Sequence, residues 1–149
     1  MMEPPPAASP DEEARRYLRE AHALHASGQI EAALAAGRRA VEVAPRLADA
    51  WVYVGTTLVT RRLAFREGLA ALERAVHLAP ADPGALYSLG WCYEFVAYRL
   101  EKQPGRPYRD PAQLYELAAA TLQRCIDLEP DPGLKDDAEK LRDTILDRL

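Results

Sequence analysis

The residue types that most often carry chemistry are sparse in this chain of 149 residues, which has three histidines and two cysteines. His22 and His25 stand three positions apart, a spacing that puts both imidazoles on one face of a helix. A metal site would need a third ligand and usually a carboxylate behind each imidazole. No such set follows nearby, so we predict no metal site and ordinary surface or groove positions for both histidines.

The two cysteines, Cys92 and Cys125, do not form a zinc pattern, which requires four ligands at close paired spacings. A cysteine beside a histidine would make an activated nucleophile, but both cysteines fall at or next to positions that serve helix packing. The sequence also lacks a glycine-rich phosphate loop and paired catalytic carboxylates. We therefore expect free buried thiols in a reducing compartment, and a protein that is not an enzyme and has no cofactor.

Charge and hydropathy narrow the function classes further. The formal net charge is -4 and the basic residues are scattered, whereas sequence-independent binding of nucleic acid favours a dense basic face. No apolar run reaches the roughly 18 residues of a membrane span, and "MMEPPPAASP" lacks the basic start and apolar core of a secretory signal. These features predict a cytoplasmic protein that binds no nucleic acid and does not insert into a membrane, with residues 1–9 as a disordered lead-in.

Three segments align without gaps and define the elements that must position any site. They read "ALAAGRRAVEVAP" (33–45), "GLAALERAVHLAP" (68–80) and "AAATLQRCIDLEP" (118–130). Small or apolar residues recur in each at offsets of 0, 4 and 7, which is one face of a helix. Each segment ends at a proline, because the residue before a proline is pushed out of the α region.

A partner helix precedes each of these segments. The partners read "YLREAHALHASG" (17–28), "WVYVGTTLVTRR" (51–62) and "LYSLGWCYEF" (86–95). Each carries a small residue that lets the two helices of a pair approach closely: Ala21, Gly55 and Gly90. Four polar residues followed by proline are typical of helix N-caps, namely Ser9, Asp82, Asp110 and Asp131. The sequence thus predicts antiparallel helix pairs throughout.

These pairs resemble the tetratricopeptide repeat (TPR), a 34-residue helix–turn–helix unit with the pattern W-x2-L-G-x2-Y, A-x3-F and a closing proline. The match is good at "LGWCY" (89–93), at "GTTL" (55–58) and at the three closing prolines. The resemblance implies an all-α solenoid in a single domain at 10–149. Its repeats would lie at about 14–47, 48–82 and 83–132. The amphipathic segment at about 133–149 would cap the last repeat, as repeat arrays require.

The spacing of the closing prolines exposes an insertion. Pro45 and Pro80 are 35 residues apart, but Pro80 and Pro130 are 50 apart, sixteen more than one repeat. We place the excess at about 96–111 in the third repeat, where the first helix runs on to about residue 102. Whether this insertion is a lid, a binding wall or a structural filler stays open at this stage.

In the resembling family the concave face, built mainly by the first helix of each pair, binds peptides or helices of partner proteins. We expect the groove residues one position off the buried stripe. The predicted partner-binding residues are Arg15, Arg19, His22, Val52, Tyr53, Thr56, Tyr87, Trp91, Glu94, Phe95 and Tyr98. The family's clamp for chaperone tails is missing at the matching positions, which are Leu18, His22, Tyr53, Gly84 and Ser88.

The first helix of the third repeat is apolar on two faces. Its second stripe is Tyr87, Trp91, Phe95 and Tyr98, and large apolar patches usually mark interaction sites. The sequence leaves open which of three groups covers this stripe: a partner protein, the chain's own loop folding back through Pro107 and Tyr108, or a second copy of the chain. We therefore predict an adaptor or scaffold that binds a protein or peptide. The bound segment would have an acidic end that suits the basic first repeat and an apolar or aromatic anchor that suits the apolar far end of the groove. The alternative is a structural protein that assembles into homo-oligomers.

Overall fold

The computed structural model describes residues 2–4 and 6–149, and the described residues form helices and connecting turns without a strand. Six helices make three antiparallel pairs and a seventh covers the last pair, so the predicted all-α solenoid is confirmed. The helices are α1 (Pro10–Ala26), α2 (Ile30–Val43), α3 (Ala48–Arg61), α4 (Phe65–Leu78), α5 (Pro83–Lys102), α6 (Pro111–Asp127) and α7 (Pro132–Leu146).

Side-chain caps start four of these helices at the predicted residues. A capping oxygen accepts from a backbone N–H of the first turn, an N–H that would otherwise lack a partner. The donor–acceptor distances are 3.1 Å at Ser9, 3.0 Å at Asp82, 3.1 Å at Asp110 and 3.1 Å at Asp131. In all four cases a proline follows in the first turn and presets the backbone for the helix.

The core changes character along the solenoid. The first repeat is held by small side chains, with Ala14, Ala21 and Ala40 completely buried. The second and third repeats share one continuous cluster of leucines, aromatic residues and both cysteines, which extends into α7 through Ala138 and Ile145. Because α7 contacts both α6 and α5, it covers the apolar face that the third repeat would otherwise leave open.

The insertion consists of two extra turns of helix and a loop. Helix α5 ends at Lys102, where the sequence pattern places its end, and residues 103–110 return the chain to α6. Arg109 lies 3.4 Å from the carboxylate of Glu73 and 5.6 Å from the centre of the Tyr93 ring, while the guanidinium of Arg66 lies 4.8 Å from the ring centre of Tyr108. The loop is therefore anchored on α4 and on the convex side of α5.

This anchoring corrects the expectation that the chain's own loop could cover the second aromatic stripe. Position 93 is two residues from position 91, a rotation of about 200° around the helix. The loop packs on the Tyr93 side, so it folds back but leaves the Trp91 side of α5 to other contacts.

Candidate functional site

The concave face of the solenoid carries two cavities that meet at its centre. One has a volume of about 340 Å³ and lies between α1, α3 and α5; the other has about 200 Å³ and lies between α3 and α5. Thr56 and Ser88 line both cavities, so together they form one groove. The other lining residues are Leu18, His22, Asp49, Val52 and Tyr53 in the first cavity, and Thr60, Tyr87, Trp91 and Cys92 in the second.

Tyr53 forms the floor of the groove at the first repeat, and its hydroxyl lies 3.2 Å from Nδ1 of His25. The ring of His22 meets it edge-on, with centroids 5.1 Å apart. We predicted that Tyr53 is a groove residue; it lines the cavity, but only 6% of its surface is exposed. The reason is Gly37: a Cβ there would lie 2.7 Å from Cδ1 of Tyr53, so the glycine makes room for the ring.

Charges surround the first cavity at its rim. Arg15 and Asp49 form an ion pair of 3.6 Å in which both side chains are about half exposed. Exposed pairs of this kind contribute little stability, so both groups are free to exchange partners. Arg19, one turn further along α1, is exposed and adds a second positive charge to the rim.

Aromatic rings stack in a column along α5. Trp91 lies on Phe95 with centroids 5.4 Å apart and the ring planes 18° from parallel. Phe65, at the start of α4, meets Phe95 edge-on at 6.4 Å, and the guanidinium of Arg99 lies 5.4 Å from the centre of the Phe95 ring. Trp91 thus faces the groove, whereas Phe95 is partly covered by the chain itself.

The far end of the groove is more basic than the sequence indicated. Lys102 and Arg148 both lie over the ring of Tyr98, at 5.4 and 5.5 Å from its centroid. Burial raises the pKa of the nearby Glu94 carboxyl, and the positive charge of Arg148 opposes that shift. The prediction of an apolar far end was therefore incomplete, because Arg148, which follows α7, places a cation from distant sequence on the extension of α5.

Five lining residues are absent from the predicted set: Leu18, Asp49, Thr60, Ser88 and Cys92. Asp49 and Thr60 lie one turn before and one turn after the predicted stripe of α3, so extending its helical spacing would have found them. Cys92 is completely buried, and burial raises the pKa of its thiol to about 12. Its role in the wall of the cavity follows from tertiary packing.

The described part of the chain, residues 2–4 and 6–149, contains no group of three or more His, Cys, Asp or Glu side chains placed to hold a metal ion. In the same residues no helix combines the length and apolar character that crossing a membrane requires. Neither finding assigns a function. The concave groove is therefore the candidate functional site.

No family model matches the sequence, and no curated protein matches it either. The structure, in contrast, is similar to the TPR domain of Arabidopsis OM64, with a TM-score of 0.68, 17% identity, and coverage of 91% of this chain and 98% of that one. The fold is that of a tetratricopeptide-repeat domain. This TPR fold is also similar to the N-terminal domain of stress-induced protein-1 (STI-1) from C. elegans, with a TM-score of 0.58, 14% identity, and coverage of 91% and 98%.

The crystal structure of MamA is a third match, with a TM-score of 0.54, 18% identity, and coverage of 90% of this chain and 77% of that one. The resemblance drawn from "LGWCY" and the closing prolines is thus confirmed at the level of the TPR fold. At these identities the matches establish the fold, and the function has to be argued from the groove.

Proposed function

We propose that this TPR protein is an adaptor that binds a segment of another protein in its concave groove. The observation that carries the proposal is the pair of joined cavities, which the chain's own insertion loop does not fill. Tyr and Trp side chains contribute strongly to binding when they are desolvated. Trp91, half-buried in the wall, supplies such an anchor at one end of a polar centre, while Tyr53, already buried, shapes the floor at the other end.

The groove chemistry favours a segment with acidic ends and an apolar or aromatic anchor between them. Arg19 stands at one end, and Arg99, Lys102 and Arg148 stand at the other. Complementary charge at a rim mainly accelerates association and selects the partner. In this proposal the contacts come from the predicted set, with Tyr53 as floor and Phe95 partly covered: Arg15, Arg19, His22, Val52, Tyr53, Thr56, Tyr87, Trp91, Glu94, Phe95 and Tyr98.

Assembly into homo-oligomers is the second candidate function, and one observation favours it. Tyr98 on α5, Leu146 at the end of α7 and Leu149 just beyond it are 42%, 49% and 59% exposed. Exposed apolar side chains at one end of a repeat array favour contact with another copy. In that case the apolar end of the solenoid would be buried between copies.

A crosslinking experiment tests the adaptor proposal. A photo-reactive residue is placed at Val52 in the groove, and a matched one at Ala120, which is exposed on α6. We expect a protein partner to be crosslinked from position 52 only, and Ser88→Arg to abolish the crosslink. Ser88 is suited to this change because it lies where the two cavities meet. Crosslinks that survive Ser88→Arg would show that the segment does not lie in the groove.

Light scattering separates the two candidate functions. The mass of the wild type and of Trp91→Glu is measured over about a hundredfold range of concentration. A wild-type mass that climbs with concentration, with a monomeric Trp91→Glu variant, would favour self-assembly through the aromatic stripe. A monomer in both proteins leaves the groove free for a different partner.

A further inference from the structure

The first of two clefts on the convex side of the solenoid lies between the first and second repeats, and the chain leaves it unfilled. It has a volume of about 460 Å³ and runs between α2 and α4, with α3 as its floor. Its apolar lining is Val41, Trp51, Val54, Leu58, Ala70 and Ala71. The indole N–H of Trp51 donates to the carbonyl of Pro45 at 2.8 Å, so the polar atom of that ring already has its partner.

The repeat symmetry provides an internal comparison for this cleft. Shifting the numbering by 35 residues takes Arg38 to Glu73 and Leu58 to Tyr93. Both of these residues line the equivalent depression between the second and third repeats, about 510 Å³, which extends towards Pro80. The two clefts therefore occupy the same place in successive repeats but differ at these rim and floor positions.

The chain's own insertion occupies one end of the second cleft. The hydroxyl of Tyr93 donates to Glu73 at 2.6 Å, and Arg109 of the loop pairs with the same carboxylate while lying over the Tyr93 ring. Tyr108 packs beside them against the main hydrophobic cluster. The rim carboxylate of the second cleft thus holds Arg109 of the loop, and the neighbouring Tyr108 lies under the guanidinium of Arg66.

The first cleft has the opposite charge at the same rim position. Arg38 stands where the second cleft has Glu73, and it pairs with Glu67 across the cleft at 3.1 Å, with both side chains about half exposed. Such an exposed pair contributes little and yields readily to a competing carboxylate. Glu42 also lines the cleft and pairs with Arg39 at 3.6 Å. Arg74, on the same side as Glu67, forms no ion pair within the part of the chain that the structure describes. Leu58, in place of Tyr93, leaves room above the floor.

We propose that the convex cleft is a docking site for a segment of a partner protein that presents an aromatic side chain next to an Asp or Glu. The ring would lie over Leu58 and Trp51, and the carboxylate would pair with Arg38 or Arg74. In the second cleft the rim residue Glu73 binds Arg109 of the loop. Arg38 has the opposite charge at the same position, so its expected partner is a carboxylate. This site is separate from the concave groove and does not depend on the function proposed for it.

The two tryptophans report on the two faces independently, because Trp51 lines the convex cleft and Trp91 the concave groove. The probe is the acetylated, amidated peptide Gly-Pro-Tyr-Asp-Asp, and the control is Gly-Pro-Tyr-Arg-Asp, which keeps the arginine of the natural loop. Each is added to the ¹⁵N-labelled full chain up to about 5 mM, enough to occupy a site with a Kd near 1 mM. We expect the acidic peptide to move the indole signal of Trp51 and leave that of Trp91 in place.

Two variants sharpen the test. Arg38→Glu, an exposed change, should weaken the acidic peptide by about tenfold or more and reverse the preference towards the arginine peptide. Leu58→Tyr should block both peptides by filling the floor as Tyr93 does. Three results would overturn the proposal: no shift of Trp51 at the highest peptide concentration, a shift of Trp91 instead, or a Trp51 signal that moves with protein concentration alone. The last would make a second copy of the chain the occupant.

Discussion

Gly55 and Gly68 lie back to back where α3 crosses α4. A Cβ on Gly55 would stand 2.9 Å from the carbonyl oxygen of Gly68, and a Cβ on Gly68 would stand 3.0 Å from that of Gly55. Because both obstacles are backbone atoms, neither can move without displacing a helix. We expect Gly55→Ala to lower the free energy of unfolding by about 1–3 kcal/mol through overpacking, although alanine in a helix by itself gains about 0.5–1 kcal/mol over glycine.

Urea denaturation measures this effect as a lower midpoint at an unchanged slope. The matched control is Gly84→Ala in the first turn of α5, where the nearest obstacle to a Cβ is the side chain of Asp82 at 3.4 Å. The control should be neutral or stabilising. If both variants behave alike, the close crossing of α3 and α4 is not what limits position 55.

Position 55 also shows how much of the fold is readable from sequence. Each repeat has a small residue at the same position of its first helix and a proline at the end of its second helix. These two features were sufficient to predict the helix pairs, because close packing of the two helices requires the small residue in every repeat. Gly37 was harder to interpret. Its role is to accept the ring of Tyr53 from the next repeat, and that contact depends on the packing of two repeats against each other.

The candidate site likewise contains residues that the sequence predicts and contacts that it does not. His22, Val52, Thr56, Tyr87 and Trp91 line the cavities because helical spacing alone sets the direction of their side chains. The surroundings of Phe95 and Tyr98 come from Phe65 and Arg148, which are distant in sequence. No local pattern encodes such contacts, so the exposure of the second stripe could not be predicted.

The bond between Tyr93 and Glu73 should contribute measurably to stability. Tyr93→Phe removes one hydroxyl and keeps the ring. We expect a loss of about 1–2 kcal/mol, at the low end for a hydrogen bond to a charged group, because the Glu73 side chain is 40% exposed. Tyr17→Phe is the matched control, since its hydroxyl accepts from Arg39 at a long 3.4 Å on the surface, and it should stay within about 0.5 kcal/mol. Equal effects in the two variants would mean that Glu73 does not select the Tyr93 hydroxyl.

The same carboxylate anchors the insertion loop, so Glu73→Gln should release it. We expect trypsin to cleave after Arg109 several-fold faster than in the wild type, since a loss of about 1 kcal/mol in local stability raises the open fraction about fivefold. Cleavage after Arg62, in the turn between α3 and α4, serves as the internal reference. An unchanged ratio of the two cleavages would show that Glu73 does not hold the loop.

Leu63 offers a stabilising substitution. It lies in the turn between α3 and α4 with a φ of 53°, a region that costs a residue with a Cβ about 1–2 kcal/mol, and 46% of its surface is exposed. Leu63→Gly should raise the free energy of unfolding by about 0.5–1 kcal/mol after the extra chain entropy of glycine is subtracted. Leu63→Ala loses the same side chain but keeps the Cβ, so thermal unfolding should show no comparable gain. A gain of equal size in both variants would assign the effect to the exposed leucine side chain.

The buried thiol of Cys92 gives the stability a dependence on alkaline pH. Burial raises its pKa to about 12 in the folded protein, whereas an unfolded thiol titrates near about 8.5. Between these values the folded state binds more protons than the unfolded state. The contribution of Cys92 is therefore fully present below the unfolded pKa and is lost as pH rises, by up to about 1.4 kcal/mol per pH unit.

Urea denaturation of the wild type and of Cys92→Ala, from about pH 7.5 to about pH 10 under reducing conditions, isolates this term. The small cavity left by Cys92→Ala shifts its curve by an amount independent of pH, and the tyrosines with raised pKa values are present in both proteins. We expect the two curves to converge as pH rises, with the wild type falling more steeply. Parallel curves would mean that the thiol at position 92 reaches solvent in the folded protein, and in that case iodoacetamide should modify it at neutral pH without unfolding.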